Sequence, residues 1–160
     1  MSEAEALVAA YEAADDEDEK PDLISDLEPF FDQGPVRSLL VRVISDAAEY
    51  DLARIEALRV LEVQQPPEAE RATFVTAIAS VLASEPDEVV RQWAGRALKA
   101  FADDPRAVEA AAARAQDSEE DLDVRCNCLS VLERAGSAEA TKVLAALALD
   151  PVLGKYVQGP

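Results

Sequence analysis

Catalysis needs a nucleophile with a base, a metal cage or a phosphate cradle, and this chain supplies few residues for any of them. None of its 160 residues is a histidine, so the commonest general base is missing. Its two cysteines, Cys126 and Cys128, lie two apart. On a helix that spacing turns them about 200° from each other, a poor arrangement for a disulfide or a shared metal. Reduced thiols in a cytoplasm are the expected state. The glycines at 34, 95, 136, 154 and 159 form no phosphate-binding fingerprint. With 33 acids, close carboxylate pairs arise by chance, and no pair is marked out for acid–base work. The run Asp15, Asp16, Glu17, Asp18 and Glu19 has the charge for calcium. It lacks the alternating ligands and central glycine of a calcium loop, and a solvated acidic loop is expected there. These residues point to no enzyme, no metal and no cofactor, which leaves binding.

Charge narrows the choice of partner. The formal net charge is −18, a field that repels nucleic-acid phosphates and anionic membrane surfaces. A basic protein fits best. Solubility alone, or the acidic bias of a salt-tolerant host, is the other reading of such charge, although a host-wide bias would spread it more evenly. Here residues 1–32 hold 12 acids and one base, whereas residues 33–160 hold 21 acids and 14 bases. The chain shows no signal peptide at its start and no apolar run of membrane-spanning length, so a cytoplasmic protein is expected.

The elements that must position these residues are helical and repeated. Ala53-Arg54 precedes Ala57 and Val60-Leu61; Val90-Arg91 precedes Ala94 and Ala97-Leu98; Val124-Arg125 precedes Cys128 and Val131-Leu132. In each copy the apolar residues fall at i, i+4, i+7 and i+8, one face of an amphipathic helix. Asp51, Asp87 and Asp121 stand three or four residues before the arginines, where an acid caps a helix and favours its positive end. A second helix follows each time, opened by Pro66-Pro67, Asp104-Pro105 or Gly136-Ser137. The unit is helix, turn, helix, at about 34–37 residues. Residues 21–46 form a degenerate first pair in which Pro29 shortens or kinks the first helix. Ser2 with Glu5 makes a capping box for an N-terminal helix that covers the end of the stack. At the other end Val152, Leu153, Tyr156 and Val157 are expected to cover the apolar stretch Val143–Leu149.

The segments Asp87-Glu-Val-Val-Arg91 and Asp121-Leu-Asp-Val-Arg125, with the apolar positions that follow them, resemble the HEAT-repeat superfamily in its short bacterial form. The Trp-x-x-Leu-Gly-x-x-Tyr pattern of tetratricopeptide arrays is absent around Trp93. The resemblance covers residues 50–149 and implies an all-α solenoid of eight or nine helices. One domain is expected: a capping helix and acidic loop over 1–20, helix-pair repeats over 21–149 and a tail over 150–160. It further implies a structural ladder in which Arg54, Arg91 and Arg125 pair with Asp51, Asp87 and Asp121 of the same and neighbouring repeats. Small size, strong negative charge, no catalytic apparatus and a repeat scaffold together predict an acidic protein-binding module, in its most concrete form an inhibitor or immunity protein that neutralises a basic partner. Short HEAT-like proteins also act as assembly factors on pigment-carrying antenna proteins, a role for which only Cys126 could handle a chromophore. HEAT-fold DNA glycosylases rely on a basic cleft, which the net charge opposes.

Partner contact is expected at three places. Trp93 lies at the edge of the apolar stripe, where the sister repeats place Glu56 and Asn127, and a part-exposed Trp is a common hot spot. Thr73, Thr76 and Ser80 form the outer ridge of a helix that is uncharged from Ala72 to Ser84. The acidic run 15–19 is the third.

Overall fold

The computed structural model describes residues 1–158; Gly159 and Pro160, the end of the expected tail, lie outside them. Nine α-helices and no strand occur among the described residues. They are α1 (Glu3–Ala13), α2 (Lys20–Leu27), α3 (Gly34–Ser45), α4 (Asp51–Val63), α5 (Glu68–Ser84), α6 (Glu88–Leu98), α7 (Pro105–Ala115), α8 (Leu122–Ala135) and α9 (Ala138–Leu147). The protein is an all-α solenoid.

Local chemistry sets most boundaries. Ser2 accepts from the Glu5 N–H while the Glu5 carboxylate accepts from the Ser2 N–H, a complete capping box for α1. Asp87, Asp104, Asp121 and Ser137 cap α6, α7, α8 and α9 by accepting first-turn N–H groups. Helix α8 stops at Gly136, whose φ of 60° is open to glycine and strained for other residues. Pro29 ends α2 at Leu27 by forcing a tighter 3₁₀ turn over Glu28–Phe30.

The helices alternate between two layers. Helices α2, α4, α6 and α8 stack side by side, and α1, α3, α5, α7 and α9 form the second layer behind them. Helices α1, α3, α5 and α7 each pack on the first-layer helix that follows, α7 on α8 and α5 on α6 above all, while α9 packs on the preceding α8. Helix α1 therefore does more than cover an end: it flanks α3 in its layer and packs on α2, with Ala4 and Tyr11 buried. The core runs between the layers, from Ile24, Leu27, Leu58 and Leu61 through Phe74, Ile78 and Leu82 to Leu98, Phe101, Val131 and Leu132. Small residues let the helices close in: a Cβ on Gly95 of α6 would lie 3.1 Å from the Asn127 Cβ of α8.

Two expected segments differ from expectation. Residues Glu17–Glu19 are not a plain loop but a 3₁₀ turn, because Asp16 accepts from the Asp18 N–H and folds the chain back. In the tail only part of the lid forms. Leu153 is fully buried and Val157 packs on the core, while Val152 and Tyr156 remain exposed, as does Leu149.

The tail turn depends on Gly154. A Cβ there would sit 2.7 Å from the Ala148 carbonyl oxygen, a backbone atom that cannot swing aside. We expect Gly154→Ala to expel Leu153 and speed amide exchange in residues 148–157, leaving helices α4 to α7 protected. Unchanged exchange at Leu153 would contradict this.

Candidate functional site

The most buried charges of the molecule lie at the start of the first-layer helices. Arg54 and Glu85 are both nearly inaccessible, and Arg54 Nη1 donates to the Glu85 carboxylate at 2.5 Å. The same guanidinium donates twice to the Ile44 carbonyl near the end of α3. Arg91 binds Glu120 through Nε and Nη2, at 3.0 and 2.8 Å, and donates from Nη1 to the Glu85 and Pro86 carbonyls after α5. Arg125 donates to the Ala115 carbonyl at the end of α7 and to Asp150 at 2.7 Å. Each arginine thus joins three pieces: its own helix, carbonyls at or just past the end of the preceding second-layer helix, and an acid one repeat on. Those carbonyls have no partner inside their helix, so the arginines supply the missing donors.

The acids on these rungs are not the expected ones. Asp87 and Asp121 spend their carboxylates on helix-capping N–H groups, and the exposed Asp51 begins α4 without contact to Arg54. The rungs use Glu85, Glu120 and Asp150, from the turn just ahead of the next element. Lys20 and Glu49, 2.8 Å apart, form an additional first rung. Glu49, Glu85 and Glu120 each also accept a backbone N–H from the turn, which fixes the carboxylate for its cation. The short, charge-assisted bonds to Glu120 hold the Arg91 guanidinium above its ordinary range. The Leu153 N–H, then the Arg125 guanidinium and the Val152 N–H, hold the Asp150 carboxyl down at about 2.

The three expected contact regions lie apart. Trp93 on α6 is half-buried against the core, with the Arg96 guanidinium 4.2 Å from its ring centroid and Arg96 paired to Glu62 of α4. One face of its ring is therefore covered by a cation. Thr73, Thr76 and Ser80 are exposed on the opposite layer, where with Val41 and Ser45 of α3 they line an open groove of about 500 Å³. Asp15 to Glu19 are exposed at the N-terminal end, with Asp18 accepting from the Tyr50 hydroxyl at 3.2 Å.

The sequence reading missed a polar cavity of about 330 Å³ between α1 and α3, lined by Tyr11, Glu12, Lys20, Arg42, Asp46 and Glu49. Tyr11 is 4% exposed and its buried hydroxyl makes no hydrogen bond. Burial, then the neighbouring Glu49 carboxylate, keep its proton bound well above the ordinary tyrosine range. Burial pushes Glu49 up, but the hydrogen bonds from Lys20 and the Tyr50 N–H outweigh it and hold the carboxylate below its usual range. The alternating polar residues of α3 and the spacing of Tyr11 carry no signal that they converge.

The thiols are not activated. Burial pushes Cys128 up to about 12, and burial with the nearby Asp123 raises the half-buried Cys126. Among the described residues no group of His, Cys, Asp or Glu side chains has a metal-binding arrangement, and no helix is long and apolar enough to cross a membrane.

Residues 75–157, just over half of the chain, match a family model described as HEAT repeats. No curated protein and no solved structure matches the chain.

The ladder geometry separates pairing from capping. Arg54→Met strands a buried Glu85 carboxylate, and we expect it to lower stability by about 3–5 kcal/mol in denaturant unfolding. Asp51→Ala, at an exposed position off the ladder, should cost under about 1 kcal/mol. Equal losses from the two variants would contradict the assignment. The last rung responds to acid. The Asp150 carboxyl is depressed in the folded chain, so its contribution is complete above its ordinary value near 3.8 and disappears as pH falls through about 2. The protection of the Val152 and Leu153 amides, taken relative to intrinsic exchange at each pH, should fall over that window, and Asp150→Asn should remove that fall.

Proposed function

Because this chain belongs to the HEAT-repeat family, we propose that it acts as a binding module for a protein with a basic face. HEAT repeats generally mediate protein–protein interaction or scaffolding. The observation that carries the finer reading is where charge is left uncancelled. Ten of the twelve acids in residues 1–32 stand outside the ion pairs of the described residues; Glu12 and Glu28 are the two that are paired. The bases are used differently. Eleven of the fifteen are paired, and of the other four, Arg134, Lys142 and Lys155 lie far along the chain in or after α8. Internal pairing thus absorbs most of the positive charge and leaves one end of the solenoid strongly negative.

Such an end steers a basic partner and repels nucleic acid and other acidic proteins. The most concrete form of this function is an inhibitor or immunity protein whose acidic end neutralises a basic toxin or enzyme. The buried ladder holds the scaffold rigid, so binding meets a surface that is already formed.

The test is capture from the native host by the chain and by a variant with Asp15, Asp16, Asp18 changed to Asn and Glu17, Glu19 to Gln. The chain should retain a discrete protein of high isoelectric point. It should release that protein near 1 M salt, where the Debye length is about 3 Å, and the variant should retain at least about tenfold less. Equal capture by both, or recovery of nucleic acid alone, would refute the proposal.

A further inference from the structure

We infer that the cavity between α1 and α3 receives the cationic head of a lysine or arginine side chain from that basic partner, against Tyr11 and Asp46. This rests on the binding function proposed above and gives it a specific point of entry. Three observations support it.

The first is an unused buried group. Tyr11 lines the cavity, and its hydroxyl is buried with no hydrogen-bond partner. A buried hydroxyl left unpaired is destabilising, and such groups recur where a ligand completes the bonding. The hydroxyl oxygen, which no group of the chain uses, is an acceptor for an N–H of an incoming cation.

The second is the charge of the lining. Lys20 is cancelled by Glu49 at 2.8 Å and Arg42 by Glu12 at 2.6 Å. Asp46 remains without a cation, one oxygen accepting the Ala48 N–H and the carboxylate otherwise free. The lining is thus one charge negative, within an end of the molecule that is itself strongly acidic. An anion would meet two bases that are already occupied; a cation meets a free carboxylate.

The third is an ammonium already at home there. Lys20 Nζ sits 5.3 Å from the Tyr11 ring centroid while bonded to Glu49. An aromatic face beside a carboxylate is a recurring cradle for alkylammonium and guanidinium groups. The cavity, about 330 Å³, is at the small end of ligand sites and admits a single side chain.

The test follows the Tyr11 ring resonances by NMR in the full chain, with n-butylammonium, n-butylguanidinium and N-acetyl-lysine methylamide as probes. Sodium chloride at equal ionic strength is the control. The inference expects saturable shifts at Tyr11 with the lysine derivative and at least one free cation, and none at Tyr156. Asp46→Asn changes an exposed residue and keeps its backbone acceptor, so it should fold normally. It should weaken binding about tenfold, as should Tyr11→Phe, the equivalent of one charge-assisted hydrogen bond. Shifts that match sodium, or affinities unchanged in Asp46→Asn, would overturn the inference. Binding of the free cations without the lysine derivative would overturn the side-chain assignment. The two readings fail separately. A silent cavity with acid-dependent capture intact would sink only this inference, and a cation-binding cavity without a captured protein would sink the proposed function.

Discussion

The structure depends on a buried cation held between an acid one repeat ahead and the carbonyl end of the helix behind it. Arg54 shows the arrangement most completely, with Glu85 in front and the Ile44 carbonyl behind. A helix layer alone would be held by Ala, Val and Leu faces that can slide. The fork of a guanidinium fixes angle and register together, because it must reach both partners at once. Such charges are stable out of water only while every partner is in place. Neighbouring repeats are therefore coupled, each supplying the acid that the last one needs. Less buried pairs follow the same interval: Arg37 with Glu70, Arg71 with Asp103, Arg59 with Glu28, Arg96 with Glu62. These are more exposed and contribute less individually.

How much of this was legible depends on the range of the interaction. The 34–37-residue period, the helix starts at Asp87, Asp104, Asp121 and Ser137, and the shortened helix before Pro29 all arise from neighbours in the chain, and the pattern of residues displays them. The arginine positions were visible for the same reason. Their partners were not, because each lies 25 to 31 residues away, in a turn outside the apolar pattern of the helices. The nearest acids in sequence, Asp87 and Asp121, were committed to capping. A usable signal existed in the acids one or two residues ahead of the helix start: Glu49 before Tyr50, Glu85 before Pro86-Asp87, Glu120 before Asp121. The first rung was hidden because its cation is Lys20, at the edge of an acidic run.

The surface follows from the same arrangement. Bases are scarce and most are consumed holding repeats together, so the acids of α1, α2 and the turn between them stay uncancelled. The negative end is thus a consequence of how the scaffold uses its cations, as well as of composition. Contact regions expected from residue type are spread over separate faces: Trp93 on one layer, Thr73, Thr76 and Ser80 on the other. The cavity beside Tyr11 needs α1, α3 and the turn after α3 together. No local pattern could announce it.

The most direct measurement is a double-mutant cycle on Arg54→Met and Glu85→Leu, read by denaturant unfolding. The account predicts strong coupling: the double variant should be less destabilised than the sum of the singles by at least about 2 kcal/mol, because neither charge is left alone. Losses that add to within about 0.5 kcal/mol would show that the two residues act independently. The ladder would then not be what joins the repeats.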